Sequence, residues 1–187
     1  MTVFRDLSQH ILDIAENGTK AGATVLHINI QEDFKTDRLS IAIQDNGSGM
    51  TPQTLEKVTD PWFTTRTTRN VGLGIPFFKQ TAEMCGGSFD IQSEVGQGTL
   101  TQAVFQHSHI DRPPLGDLIG TLLCIIVGFP DVDLVYHHKV NDLEFDFNTG
   151  DIREILGDEV PLSDPDVLAF LRSNLEEGIQ VLGGESV

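Results

Sequence analysis

Apolar residues recur along the chain with two different periods, and the changes of period mark its elements. Leu7, Ile11, Ile14 and Ala15 fall at i, i+4, i+7 and i+8. They form one stripe of a helix over residues 6–22, with Asp6 as N-cap and Gly22 at its end. Residues 24–31 and 39–44 alternate apolar and polar positions, which predicts two strands of a hairpin around the polar turn 32–37. Thr51-Pro52 opens a helix that runs to 57 or 58, with the proline at its first turn. Residues 64–70 (TTRTTRN) have no apolar anchor and read as a mobile loop. A helix follows Gly74 to about residue 84, where Gly86-Gly87 stops it. Residues 88–92 and 99–105 read as strands joined by a turn at 94–98. The polar stretch 106–114 ends in two prolines and marks a boundary. Leu115 to Val127 reads as a core helix with Pro113 and Pro114 near its first turn; a buried strand is the alternative, because periodicity does not settle a short apolar run. Residues 132–139 and 143–147 form a further hairpin, and a helix capped by Asp164 runs to about residue 180.

Composition narrows the function classes. The chain has 187 residues, 39% of them hydrophobic, and a formal net charge of −16. A core is therefore feasible, while phosphate backbones and anionic lipid repel the chain, so nucleic acid and membrane surfaces are not expected partners. The charge is uneven: residues 1–110 carry net −4, and residues 111–187, with four Lys+Arg against 16 Asp+Glu, carry net −12. Cys85 and Cys124 lie far apart and read as reduced thiols of a cytoplasmic protein. The N-terminus lacks the apolar run of a signal peptide, and the apolar run 118–130 is too short to span a bilayer. His107 and His109 flank the linker and His137-His138 lie in a strand, where neighbours point to opposite faces, so a metal site there is not expected.

Four stretches carry candidate chemistry. Asp13, Asn17 and Lys20 form a polar stripe beside the apolar one on the first helix. Asp45 ends a strand and is followed by Asn46-Gly47-Ser48-Gly49-Met50; alone, this suits an Asx turn. Arg66 and Arg69 lie in the polar loop. Gly72-Leu73-Gly74 opens a helix, and a helix N-terminus is a ready anion site. In that order they describe an ATP–Mg²⁺ site: a carboxylate for the adenine amine, an amide oxygen for Mg²⁺, arginines and helix amides for phosphate, and a carboxylate one turn from the metal ligand as a base. No Walker loop or dinucleotide fingerprint is present.

Order and spacing resemble the ATPase superfamily that contains the gyrase ATPase subunit, the large heat-shock chaperone, sensor histidine kinases and the mismatch-repair ATPase. Residues 13–24 (DIAENGTKAGAT) are similar to its N box, and residues 45–50 (DNGSGM) to its first glycine box. Residues 60–65 (DPWFTT) with 71–75 (VGLGI) resemble the phenylalanine box, lid and second glycine box of histidine kinases. The resemblance covers residues 6–106. It implies an α+β fold, a two-layer sandwich whose mixed sheet is covered by helices on one face. Residues 1–108 would be the ATP-binding domain and 109–187 a small acidic α+β accessory lobe.

The resemblance also implies roles. Asn17 would hold Mg²⁺, Asp45 would accept from the adenine amine, and Thr99 would support Asp45 through a water. Gly47, Gly49, Gly72 and Gly74 would shape pocket and lid. Met50, Leu73 and Ile75 would contact nucleotide, although Met50 and Ile75 suit plain core equally well. Asp13 stands where hydrolytic branches carry glutamate, one methylene longer, and Glu16 points about 100° away from Asn17 around the helix. The expected function is ATP–Mg²⁺ binding with transfer or hydrolysis of the γ-phosphate in a regulatory role through a protein partner; the alternative is a nucleotide-gated switch with little turnover.

Overall fold

The structure is a computed structural model that describes residues 5–58, 74–157 and 159–183. Helix α1 (Leu7–Lys20) starts at Asp6, whose carboxylate accepts from the Gln9 amide. Strands β1 (Val25–Asp33) and β2 (Arg38–Asp45) form the expected hairpin, followed by α2 (Pro52–Val58) and α3 (Gly74–Met84). Strands β3 (Ser88–Glu94) and β4 (Gly98–Gln106) form the second hairpin. The C-terminal third adds α4 (Leu118–Gly128), β5 (Asp133–Val140), β6 (Leu143–Asn148), α5 (Thr149–Leu156) and α6 (Pro165–Leu182).

All six strands belong to one mixed sheet of order β3-β4-β2-β1-β5-β6, antiparallel except for the parallel pair β1–β5. Alternation decides which side is covered. Leu26, Ile28 and Ile30 of β1, Leu39, Ile41 and Ile43 of β2, Ala103 and Phe105 of β4, and Leu134 and Tyr136 of β5 are all buried. Their registers align them in cross-strand rows on one face. Helices α1, α3, α4 and α6 pack on the sheet through Leu7, Ile11, Phe78, Leu122, Leu171 and Leu175. Each such side chain, taken out of water, contributes on the order of 1.5–3 kcal/mol.

Residues 111–187 therefore extend the same two layers, since β5 pairs directly with β1. A buried polar cluster reinforces the join. Glu32, 1% exposed at the end of β1, accepts from His107 Nε2 at 2.9 Å and from His138 Nε2 at 3.0 Å. Tyr136 Oη lies 2.9 Å from His138 Nδ1. Burial pushes the Glu32 carboxyl up, but hydrogen bonds from both histidines outweigh it and hold the group below the ordinary glutamate range. The Tyr136 hydroxyl is pushed far up by burial, so it keeps its proton and can donate to Nδ1 in the tautomer whose Nε2–H faces Glu32.

Two local expectations change. The helix expected from Leu115 starts at Leu118, with Asp117 as N-cap accepting from Gly120 N at 2.7 Å. The carbonyls of Pro114 and Leu115 instead accept from the first amides of α1, Leu7 N at 2.9 Å and Ser8 N at 2.8 Å. In a helix through these residues those carbonyls would instead accept from amides four residues further on. Helix α5 was not anticipated; its apolar contribution is limited to partly buried Ile152 and Leu156.

Candidate functional site

The covered face ends, at the C-terminus of β2, in a row of polar residues. Asp45 pairs in register with Thr99, and Thr99 pairs with Ser93. Asp45 is 8% exposed, and its Oδ1 accepts from Gly47 N at 2.9 Å. Burial raises its pKa above the ordinary aspartate value, and the amides of Gly47 and Thr99 pull it partly back. Gly18 of α1 presses on this carboxylate, since a Cβ there would lie 2.8 Å from Asp45 Cβ.

The 45–50 turn is held on three sides. Asn46 Oδ1 accepts from the amides of Thr24 at 2.8 Å and Val25 at 2.9 Å, which ties the turn to the start of β1. Ser48 N donates to Ala21 O at 2.9 Å, and Ser48 O accepts from Gly96 N at 2.8 Å. Met50 N donates to Ser93 Oγ at 2.9 Å. Gly49 has φ +64°, and a Cβ there would overlap Glu94 O, so this position needs glycine twice over. Ser93 Oγ donates to Gly98 O at 2.9 Å, so its 2.9 Å contact with Thr99 Oγ1 is one it accepts. Thr99 thus spends its only proton on Ser93 and can offer other partners an acceptor.

A cavity of about 290 Å³ opens over this end of the sheet. Helix α1 contributes Ile14, Asn17, Gly18, Lys20 and, just past its end, Ala21. The turn contributes Asp45, Gly49 and Met50; α2 and α3 contribute Val58 and Ile75; β4 contributes Thr99 and Thr101. The cavity wall is mainly apolar with a few convergent polar groups, the usual make-up of a small-molecule site.

Of the expected site residues, Asn17, Asp45, Gly49, Met50, Ile75 and Thr99 line this one cavity. Gly47 stands behind it as a donor to Asp45. Asp13 and Gly74 lie against each other outside the lining, so close that a Cβ on Gly74, the first residue of α3, would overlap the Asp13 carboxylate. Asp13 Oδ2 is buried and has no hydrogen-bond partner among the described residues. Its carboxyl is pushed up by burial and by the charge of Glu16, against the opposing pull of Lys20 and the Gly74 backbone. A carboxyl raised in this way is a stronger base than a solvated aspartate. Arg66, Arg69, Gly72 and Leu73 lie outside the described residues. Glu16 pairs with Lys20 at 2.8 Å.

Several lining residues were missed. Lys20 belongs to the polar stripe, and its place three residues after Asn17 was the available signal. Ile14 shares the apolar stripe; Gly18, Ala21, Val58 and Thr101 gave no separate signal. For a metal, Asn17 supplies one neutral oxygen donor, and no cluster of three or more His, Cys, Asp or Glu that could hold an ion occurs among the described residues. That donor set fits Mg²⁺ arriving with phosphate and water as its other ligands.

Residues 2–109 match the family described as histidine kinase-, DNA gyrase B- and HSP90-like ATPase. Among curated proteins, the chain is 33% identical over 93 residues to Sensor protein DegM of Bacillus sp., covering 50% of this chain and 25% of that protein. It is 30% identical over 95 residues to Sensor histidine kinase ZraS of Salmonella typhimurium (50% and 20% covered). It is 35% identical over 94 residues to Sensor protein kinase FleS of Pseudomonas aeruginosa (50% and 23% covered). The matches thus span a quarter or less of these relatives' own length. Among solved structures, the N-terminal domain of a DNA repair protein superposes with a TM-score of 0.53 at 14% identity, covering 77% of this chain and 52% of that one. That likeness shows the fold.

Proposed function

Because the chain belongs to the family of histidine kinase-, DNA gyrase B- and HSP90-like ATPases, an ATP-binding superfamily, we propose that it binds ATP with Mg²⁺ in the cavity between α1 and the end of β2, in a regulatory or signalling role with a protein partner. The carrying observation is the convergence of Asp45, Asn17 and the apolar residues Ile14, Met50 and Ile75 on one cavity. In this reading Asp45 accepts from the adenine amine, and Met50 and Ile75 flank the ring. Asn17 supplies the protein's oxygen to Mg²⁺, and Lys20 supplies positive charge on the same helix face. Arg66, Arg69, Gly72 and Leu73 serve the phosphates, with Gly74 opening the helix behind them. Bound Mg²⁺ supplies neutralisation of phosphate charge. Asp13 holds the acceptor for the proton of an attacking water or hydroxyl.

The relatives named as sensor kinases favour a regulatory role with γ-phosphate transfer or hydrolysis. A second reading, a nucleotide-gated switch, is favoured by Asp13, whose short carboxylate rests against Gly74 and outside the cavity lining. Titration calorimetry with ATP, with and without Mg²⁺, tests the binding; no heat with either overturns it. Incubation with γ-labelled ATP, alone and with cell extract, separates the readings. Released phosphate or a labelled protein supports an enzyme, and tight binding with neither supports the switch.

A further inference from the structure

We propose that Thr101 is a specificity-determining residue of this cavity, its hydroxyl donating to a ring nitrogen of the purine base directly or through one water; the inference rests on the nucleotide reading above. Thr101 is 1% exposed and belongs to a cross-strand row that runs Ile91, Thr101, Ile43, Ile28, Tyr136 and Phe147. Both of its neighbours across the sheet are isoleucines, which offer a hydroxyl nothing. Tyr136, the other polar member, has its partner in His138. The Thr101 hydroxyl has no hydrogen-bond partner among the described residues, and Thr101 lines the cavity.

Valine has almost the same shape and would fill this place in an apolar row without burying an unpaired hydroxyl. The hydroxyl therefore finds its partner only in what occupies the cavity, water in the empty protein or a ligand when one is bound. Asp45 lies on the same face, diagonal to Thr101, because its direct partner on β4 is Thr99. Diagonal pairs of this kind have Cα atoms roughly 7–8 Å apart, a gap that suits the edge of a base. An acceptor and a donor side by side match an amine next to a bare ring nitrogen, as in adenine. They oppose a carbonyl next to a ring N–H, as in guanine.

The test uses the full chain and the variants Thr101→Val and Thr101→Ser. Each is melted without nucleotide and titrated with Mg²⁺–ATP and Mg²⁺–GTP. Thr101→Val should melt at or above the wild-type temperature, bind ATP about three- to tenfold more weakly, and lose part of its preference for ATP over GTP. Thr101→Ser, which keeps the hydroxyl, should stay within about twofold of wild type. Unchanged ATP affinity in Thr101→Val would overturn the assignment of Thr101 and leave the nucleotide reading standing. A clearly lower melting temperature in Thr101→Val would overturn it too, since the hydroxyl would then have a structural partner. Absence of ATP binding by the wild type removes both.

Discussion

Single residues carry most of the electrostatic tension in this protein. Asp45 is a buried carboxylate with a raised pKa, so the empty protein bears a desolvation cost there. Asp45→Asn should leave the melting temperature equal or higher while weakening ATP binding by at least about tenfold, the scale of a hydrogen bond to a charged group. Calorimetry and thermal melts on the same samples check both halves. Asp13→Asn keeps the shape of the side chain and removes the base. Nucleotide affinity should hold while any turnover falls about 10²-fold or more, read in single-turnover assays. His10 is 1% exposed, stacks on Phe78 with centroids 5.2 Å apart, and has its pKa lowered by burial to about 4. The folded chain binds this proton less readily than the unfolded one, so stability falls as pH drops from about 6.5 toward 4, by up to about 3 kcal/mol. Thermal melts across that range should show the slope, and His10→Phe should flatten it.

At the scale of elements, the glycine turn after β2 is a joint among α1, β1 and the β3–β4 hairpin. Gly49 combines a left-handed backbone with contact against Glu94 O. Gly49→Ala should lower stability by more than the roughly 1 kcal/mol that glycine's freedom alone accounts for, and it should weaken ATP binding through displacement of Met50. Chemical denaturation gives the first number and calorimetry the second. Wild-type stability in this variant would mean that the hairpin turn moves aside freely. The sheet-end row explains why such a shift would be felt at the site: Met50, Ser93 and Thr99 share one hydroxyl network.

At the scale of the molecule, the strands of residues 111–187 complete the sheet that carries the site, and Glu32 fastens them. Thermal unfolding of the whole chain should be one transition, with calorimetric and van't Hoff enthalpies in agreement. Glu32→Ala strands two ring N–H donors and should cost on the order of 1–3 kcal/mol for each. The Glu32 carboxyl is held below its ordinary value, so its contribution is whole above the ordinary glutamate pKa and is lost as pH falls through the depressed one. Acid unfolding of Glu32→Ala followed by circular dichroism should lack that component; an acid limb identical to wild type would remove Glu32 from the fastening role.

Short-range physics let the sequence determine a good deal. Caps at Asp6, Thr51 and Asp164, alternation in the two N-terminal hairpins, and the order of the polar stripe, glycine turn and glycine-led helix all depend on neighbours within a few residues, and the helices and strands formed where those signals stood. Local signals marked Asn17, Asp45 and Gly49, and the resemblance to the ATPase superfamily added Met50, Ile75 and Thr99; the structure gathers all six around one cavity. Tertiary structure alone decided what depends on partners distant in the chain. The pairing of β1 with β5 joins residues more than 100 positions apart, and no local pattern encodes a parallel neighbour. The carbonyls of Pro114 and Leu115 were claimed by the start of α1, which moved the start of α4. Thr101 reads as an ordinary strand threonine until its register sets it between two isoleucines with its side chain on a cavity. Burial and register are properties of the assembled sheet, and they convert a common residue into one whose hydroxyl has no partner among the described residues.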